Sequence, residues 1–233
     1  MPSAADALWC VVPAAGRGTR FGGARPKQYL DIDGEPMLLH TLWRLARVPC
    51  VAGLLVVLAN DDPHWPALRK IDGKPVRTAV GADERSGSVL AGLRALPDTV
   101  GDTAFVLVHD AARPCVSVRD IMRLIERVAP AGGGLLAAPL RDTLKLADAG
   151  TRVIATEPRE SRWRALTPQM FRRGELTAAL EDAQRNGVAM TDEAMAMERM
   201  GHRPLLVEGD ERNIKVTTPA DFELARFLIE RTS

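Results

Sequence analysis

"LWCVVPAAGRGTRFGGARPKQ", residues 8–28, begins with an apolar run from Leu8 to Ala15 and passes directly into a glycine-rich, cationic segment. A strand with one wet face alternates apolar and polar residues, whereas a strand covered on both faces does not, so the run reads as a buried strand of a parallel sheet. Similar runs recur at 51–59 (VAGLLVVLA), 76–80 (VRTAV), 104–110 (AFVLVHD), 134–140 (GLLAAPL) and 204–209 (PLLVEG). Between them, residues 36–48, 86–97, 117–129 and 174–187 place apolar side chains three and four apart, which is helical spacing. Strand and helix in alternation predict an α/β fold: a mostly parallel, Rossmann-like sheet in a three-layer arrangement. Two helix starts carry capping signals, Ser117 with Asp120, and Thr218-Pro219 with Asp221.

One region breaks the alternation. Residues 141–167 are polar and turn-rich, with "DAG" between the short alternating runs "TLKLA" and "RVIAT". They predict a hairpin protruding from the sheet, an arm over 141–163. Such a ribbon is marginal alone in water, so a second subunit is its expected cover. No repeat or linker divides the chain, and 1–233 reads as a single domain.

With 31 basic against 30 acidic residues, no global field draws the protein to nucleic acid or an anionic membrane. The N-terminus has neither a signal peptide's charged n-region nor a membrane span's length of apolar residues. Cys10, Cys50 and Cys115 have no zinc or redox spacing and read as inert thiols in a reducing compartment, so a cytoplasmic location is expected. His40, His64 and His202 sit in no ligand-like spacing and read as structural or surface residues, and His109 as a packing residue.

The loop after the first strand lies where open α/β sheets bind ligands. It is not a P-loop, because Lys27 is followed by Gln28 rather than Ser or Thr. A dinucleotide fingerprint fails too, since Gly16 and Gly18 are followed by Gly22, one residue late. An irregular loop remains, whose backbone amides can approach an anion while several cations converge on it, which suits a triphosphate. Two further strand ends add to it. "GADERSGSV" (81–89) turns at Gly81 and has Ser86 or Ser88 opening a helix, and "VHDAARP" (108–114) ends a buried strand in Asp110, a carboxylate placed for Mg²⁺ or a ligand hydroxyl, or alternatively for an N-cap or an ion pair with Arg113.

Together with "RDTLK" (141–145), "ALTPQ" (165–169), "TDEA" (191–194) and "NIKVT" (213–217), these segments resemble, over essentially the whole chain, the 2-C-methyl-D-erythritol 4-phosphate cytidylyltransferases of non-mevalonate isoprenoid synthesis. The resemblance implies a nucleotidyltransferase fold and CMP transfer from CTP to methylerythritol phosphate, with pyrophosphate released and Mg²⁺ required. It implies that Arg20, Lys27 and Lys215 face the triphosphate, and that Pro13, Ala14, Ala15, Gly16 and Gly18 wrap the nucleotide. Gly81, Asp83 and Ser88 would contact the cytosine and ribose. Asp110, Arg159, Thr167 and Thr191 would surround the acceptor, with Arg113 and Thr143 lent by the neighbouring subunit of a homodimer. Thr191 alternatively reads as an N-cap. Where the family commonly has two glycines, this chain has Gly81-Ala82. Ending at Ser233, it reads as monofunctional, without the cyclodiphosphate synthase domain of some relatives. The competing readings are transfer to another polyol phosphate such as ribitol 5-phosphate, a catalytically silent nucleotide-binding regulator, and a dehydrogenase, the last disfavoured by the late glycine.

Overall fold

A computed structural model of the chain describes residues 8–16 and 25–231. Its main sheet has eight strands in the order β12-β8-β11-β7-β1-β4-β6-β5. The strands expected from the apolar runs are β1 (Leu8–Pro13), β4 (Val51–Leu58), β6 (Lys74–Val80), β7 (Phe105–Val108), β8 (Gly133–Pro139) and β12 (Leu205–Glu208). Of these, β1 pairs in parallel with β4 and β7, β4 with β6, and β8 with β12. Chain order runs outward from β1 through β4 to β6, then returns to β7 on the other side of β1, so the crevice between β1 and β7 is the topological switch point.

The sheet is covered on both faces. Alternate residues of β1 point to opposite sides: Cys10 and Val12 join a core with Leu42 of α1 (Met37–Ala46) and Leu124 of α3 (Val118–Val128). Trp9 and Val11 join a second core with Leu93 of α2 (Arg85–Arg94) and Leu180 of α4 (Arg173–Arg185). At Gly92 a Cβ would lie 2.5 Å from Val11 and 2.8 Å from Val57, so only glycine lets α2 sit this close to the sheet. A third, smaller cluster packs Ala225 and Ile229 of α6 (Pro219–Glu230) against Ile32, Met37 and Val216.

Four details depart from the sequence expectations. The run 76–80 is not buried on both faces: Arg77, Thr78 and Val80 are exposed, because only the two-residue β5 (Lys70–Ile71) lies beyond β6. A ten-residue strand, β11 (Trp163–Arg172), inserts antiparallel between β7 and β8, although residues 163–167 read from the sequence as the end of the irregular region. Helix α2 begins at Arg85 after Glu84, not at a serine. The short α5 (Glu193–Arg199) is capped by Asp192, whose carboxylate accepts from the Met195 amide, and not by Thr191.

The other boundary signals hold. Thr218 and Asp221 form a reciprocal capping box with Pro219 at the first helical position. Ser117 caps α3 through the Asp120 amide, but the Asp120 carboxylate turns instead to Arg123 and the Asp210 amide. The hairpin is present as β9 (Leu144–Ala147) and β10 (Val153–Glu157), which pair only with each other. Two-residue β2 (Asp31–Ile32) and β3 (Glu35–Pro36) form a small separate hairpin ahead of α1.

Candidate active site

An open pocket of about 400 Å³ lies at the C-terminal ends of β1, β6 and β7. That size suits a small-molecule cleft. Pro13, Ala14, Ala15 and Gly16 line one wall, directly continuing β1. The Ala14 amide donates to Val57 O at 2.7 Å, so the chain follows the sheet for one residue before it leaves. Beyond it, Gln28 Nε2 donates to Ala14 O at 2.8 Å and to Gly16 O at 3.0 Å. This ties the far end of the glycine-rich loop back to its start. Arg20 and Gly18, expected to face the triphosphate, lie outside the described residues.

The second wall comes from the turn after β6. Gly81, Ala82 and Asp83 lead into α2, and a Cβ on Gly81 would lie 2.6 Å from the Ala15 methyl and 2.8 Å from Ser88 Oγ. The two walls therefore meet only because residue 81 has no side chain. Ser88 is buried, its hydroxyl accepting from the Ala82 amide at 3.1 Å and donating to Ala82 O at 3.0 Å. Asp83 and Ser88 both line the pocket, and Ala82, in place of the second glycine, joins them there.

The floor is electrostatic. Asp110, 6% exposed, follows β7 and is surrounded by cations. Arg85 Nε lies 2.8 Å from its Oδ1, while Lys215 Nζ lies 3.0 Å and Arg113 Nε 3.4 Å from its Oδ2. Burial by itself would raise this carboxyl's pKa; Arg85, Lys215 and Arg113 overcome that and hold it well below the usual carboxylate range. Lys27, on a 3-10 turn over Lys27–Tyr29, donates to Val216 O at 2.7 Å, which brings both lysines to the same rim.

Behind the floor stands a buried hydrogen-bond network. Thr167 Oγ1 accepts from the Asp110 amide at 3.1 Å and lies 2.9 Å from His109 Nδ1. Asn213 Nδ2 donates to Thr167 O at 2.7 Å, and Arg113 Nη1 donates to Asn213 O at 2.7 Å. His109 is fully buried, and burial pushes its pKa down to about 4, so it is a neutral ring in the packing.

The expected residues thus divide. Pro13, Ala14, Ala15, Gly16, Lys27, Asp83, Ser88, Asp110 and Lys215 converge on the pocket. Thr167 supports Asp110 from beneath. Arg113 is 8% exposed and bonds Asp110, Asn213 and Ala165 of its own chain. Thr143 and Arg159 are exposed at the base of the hairpin, where Arg159 donates to Arg141 O. Thr191 is exposed just before α5, its hydroxyl 3.5 Å from Met195 Sδ. The sequence reading passed over Arg85, Glu193, Gln28 and Thr217. Arg85 and Glu193 stood inside the quoted motifs as complementary charges, but 108 residues apart, and only folding reveals them as a pair.

Magnesium is expected with a nucleotide triphosphate, and the donors present fit one kind of site only. Among the described residues no three His, Cys, Asp or Glu side chains cluster as a metal cage. Asp110 is the best-placed carboxylate, and its charge is already shared by three cations. Asp110 could share an ion with substrate phosphates.

The sequence model of the 2-C-methyl-D-erythritol 4-phosphate cytidylyltransferases matches residues 8–231. A protein of that name from Stenotrophomonas maltophilia K279a is 58% identical over 227 residues, 97% of each chain. Another, from Xanthomonas oryzae pv. oryzae PXO99A, is 56% identical over 97% of this chain and 83% of its own. The crystal structure of the Francisella tularensis cytidylyltransferase superposes with a TM-score of 0.81 at 32% identity, covering 95% of this chain and 99% of that one. A crystal structure of a 4-diphosphocytidyl-2C-methyl-D-erythritol synthase gives 0.80 at 36% identity, covering 95% and 98%. With the pocket at the sheet's switch point and these likenesses along nearly its whole length, the chain belongs to the 2-C-methyl-D-erythritol 4-phosphate cytidylyltransferase family.

Proposed function

We propose that this pocket transfers the cytidylyl group of CTP to 2-C-methyl-D-erythritol 4-phosphate, releasing pyrophosphate. The observation that carries the reading is the convergence of Lys27, Lys215 and Asp110 on the mouth of the crevice between β1 and β7, beside the backbone of residues 13–16. An acceptor phosphate oxygen attacks the α-phosphorus in line; the new oxygen–phosphorus bond forms as the bond to the bridging oxygen breaks, and pyrophosphate leaves with that electron pair. No protein nucleophile is needed. The backbone of residues 13–16 lies against the nucleotide, while Asp83 and the Ser88-braced turn meet the base and ribose. Lys27 and Lys215, with Arg20, neutralise charge at the α-phosphorus and on the leaving group.

Asp110 anchors Lys215 on the acceptor side, with Thr167 fixing its backbone. Thr191 and Arg159 complete the acceptor site. Thr143 comes from a second subunit through the 141–163 arm, so the functional unit is a homodimer. When bound, Mg²⁺ adds neutralisation of the triphosphate. No helix among the described residues is long and apolar enough to cross a membrane. The three thiols are free, and burial pushes Cys115 up to about 11 and Cys10 higher, which suits a cytoplasmic enzyme.

The test is pyrophosphate release from CTP by the purified protein, with methylerythritol phosphate, with ribitol 5-phosphate and with no acceptor, each with and without Mg²⁺. Release is expected with methylerythritol phosphate and Mg²⁺ alone. Release only with ribitol 5-phosphate would keep the nucleotide site and change the acceptor; none with either would leave a silent binder.

A further inference from the structure

Glu193 is among the most deeply buried acids of the chain, 1% exposed, at the first residue of the short helix α5. Its carboxylate meets the end of a guanidinium head-on: Arg85 Nη1 lies 2.7 Å from Oε1 and Nη2 3.1 Å from Oε2. Arg85 therefore has Nε left for the active site, and Nε donates to Asp110 Oδ1 at 2.8 Å. The other oxygen of Asp110 faces Lys215 and Arg113. Arg85 stays charged despite its burial, because Glu193 and Asp110 more than reverse the cost of desolvation.

Helix α5 is itself fixed from the sheet. Gln169 of β11 donates to Asp192 Oδ2 at 2.9 Å and accepts from the Ala194 amide at 2.8 Å. The Glu193 carboxylate is thus held from outside the pocket, and it determines which edge of Arg85 enters. A guanidinium freed from this clamp would turn its two Nη groups onto Asp110, the nearest remaining carboxylate, since a bidentate pair is the stronger arrangement. It would then compete with Lys215 for Oδ2.

We propose that Glu193 is a positioning residue for the transfer: by occupying both terminal nitrogens of Arg85 it limits Arg85 to a single bond with Asp110, which keeps Asp110 Oδ2 for Lys215 and the acceptor. The inference rests on the cytidylyl-transfer reading above. It separates the two substrates, because the wall formed by residues 13–16 continues β1 and is braced by Gln28, whereas Arg85 acts on Asp110.

The experiment is steady-state kinetics of Glu193→Gln, Arg85→Gln and the double variant against wild type, varying CTP and methylerythritol phosphate separately. Melting temperatures are recorded for each. For Glu193→Gln, the KM for the acceptor is expected to rise about tenfold or more, the scale of one lost charge-assisted bond, with the KM for CTP within about twofold. In the Arg85→Gln background the same change is expected to add little, since it acts through Arg85. Glu193→Asp, which keeps the charge but withdraws it, should fall between, and decides the matter if Glu193→Gln fails to fold.

A folded variant with unchanged acceptor KM would overturn the proposal, as would equal rises for both substrates or full additivity with Arg85→Gln. Loss of the fold in both Glu193 variants would assign the residue to stability alone. An inactive wild type would bring down the functional reading and this inference with it. An active wild type with an insensitive Glu193→Gln removes only the inference.

Discussion

Asp110 shows how one residue takes its character from its neighbours. A carboxylate at the end of a buried strand would ordinarily be disfavoured as an anion, yet three cations within 3.4 Å keep it ionised. The two lysines at the pocket rim, Lys27 and Lys215, are held there by internal partners, a carbonyl and this carboxylate. Replacing either with alanine removes a preorganised charge, and each variant is expected to lose turnover by about 10² or more. Near-normal kcat in Lys27→Ala or Lys215→Ala would contradict the assignment.

His109 supplies a test by pH. Its ordinary pKa of 6.5 is lowered to about 4 by burial, so between those values the unfolded chain binds a proton that the folded chain does not. Stability from this group is then complete above pH 6.5 and falls as pH drops toward 4, by of order 3 kcal/mol over the window. The ring-proton NMR titration of His109 should show a midpoint near 4. A midpoint between 6 and 7 would show that the ring is not sealed between Thr167 and Arg113.

Among the elements, the hairpin of β9 and β10 stands apart. Its strands pair only with each other, and Leu146, Val153 and Ile154 are 47%, 62% and 62% exposed. Val153 pairs with Ala147 and Leu146 with Ala155, so Leu146 and Val153 lie on opposite faces, with Ile154 at the register shift between them, and the ribbon is apolar on both sides. A lone two-stranded ribbon is marginal in water, and the proposed homodimer covers it. Ile154→Asp is therefore expected to shift sedimentation from dimer to monomer and to weaken acceptor binding, because Thr143 belongs to the same arm. An unaltered dimer with unaltered kinetics would detach the arm from both roles. Helix α5 makes the complementary point: at seven residues it is too short to be stable alone, and Asp192, Gln169 and the Glu193–Arg85 pair anchor it.

For the whole molecule, the amino-acid sequence by itself determined the layered architecture. Apolar runs such as 51–59 and helical spacings such as 117–129 reflect burial on two faces or on one, and that is a property of consecutive residues. Caps were legible for the same reason where they were local: Thr218, Pro219 and Asp221 lie within one turn. The glycine loop, the turn at Gly81 and Asp110 were legible as strand ends, which is where an α/β sheet gathers its ligands. Tertiary structure alone decided what depends on residues distant in sequence. The antiparallel insertion of β11 between β7 and β8 was not visible, because strand order is chosen by packing across the sheet rather than by the strand's own pattern. Arg85 and Glu193 were an arginine and a glutamate in separate motifs until folding placed them 2.7 Å apart, and Arg113 became an internal strut because Asn213 arrives from 100 residues away. Periodicity records how each segment meets its immediate surroundings; charge pairing across the fold is a relation between segments, and it exists only once they have been brought together.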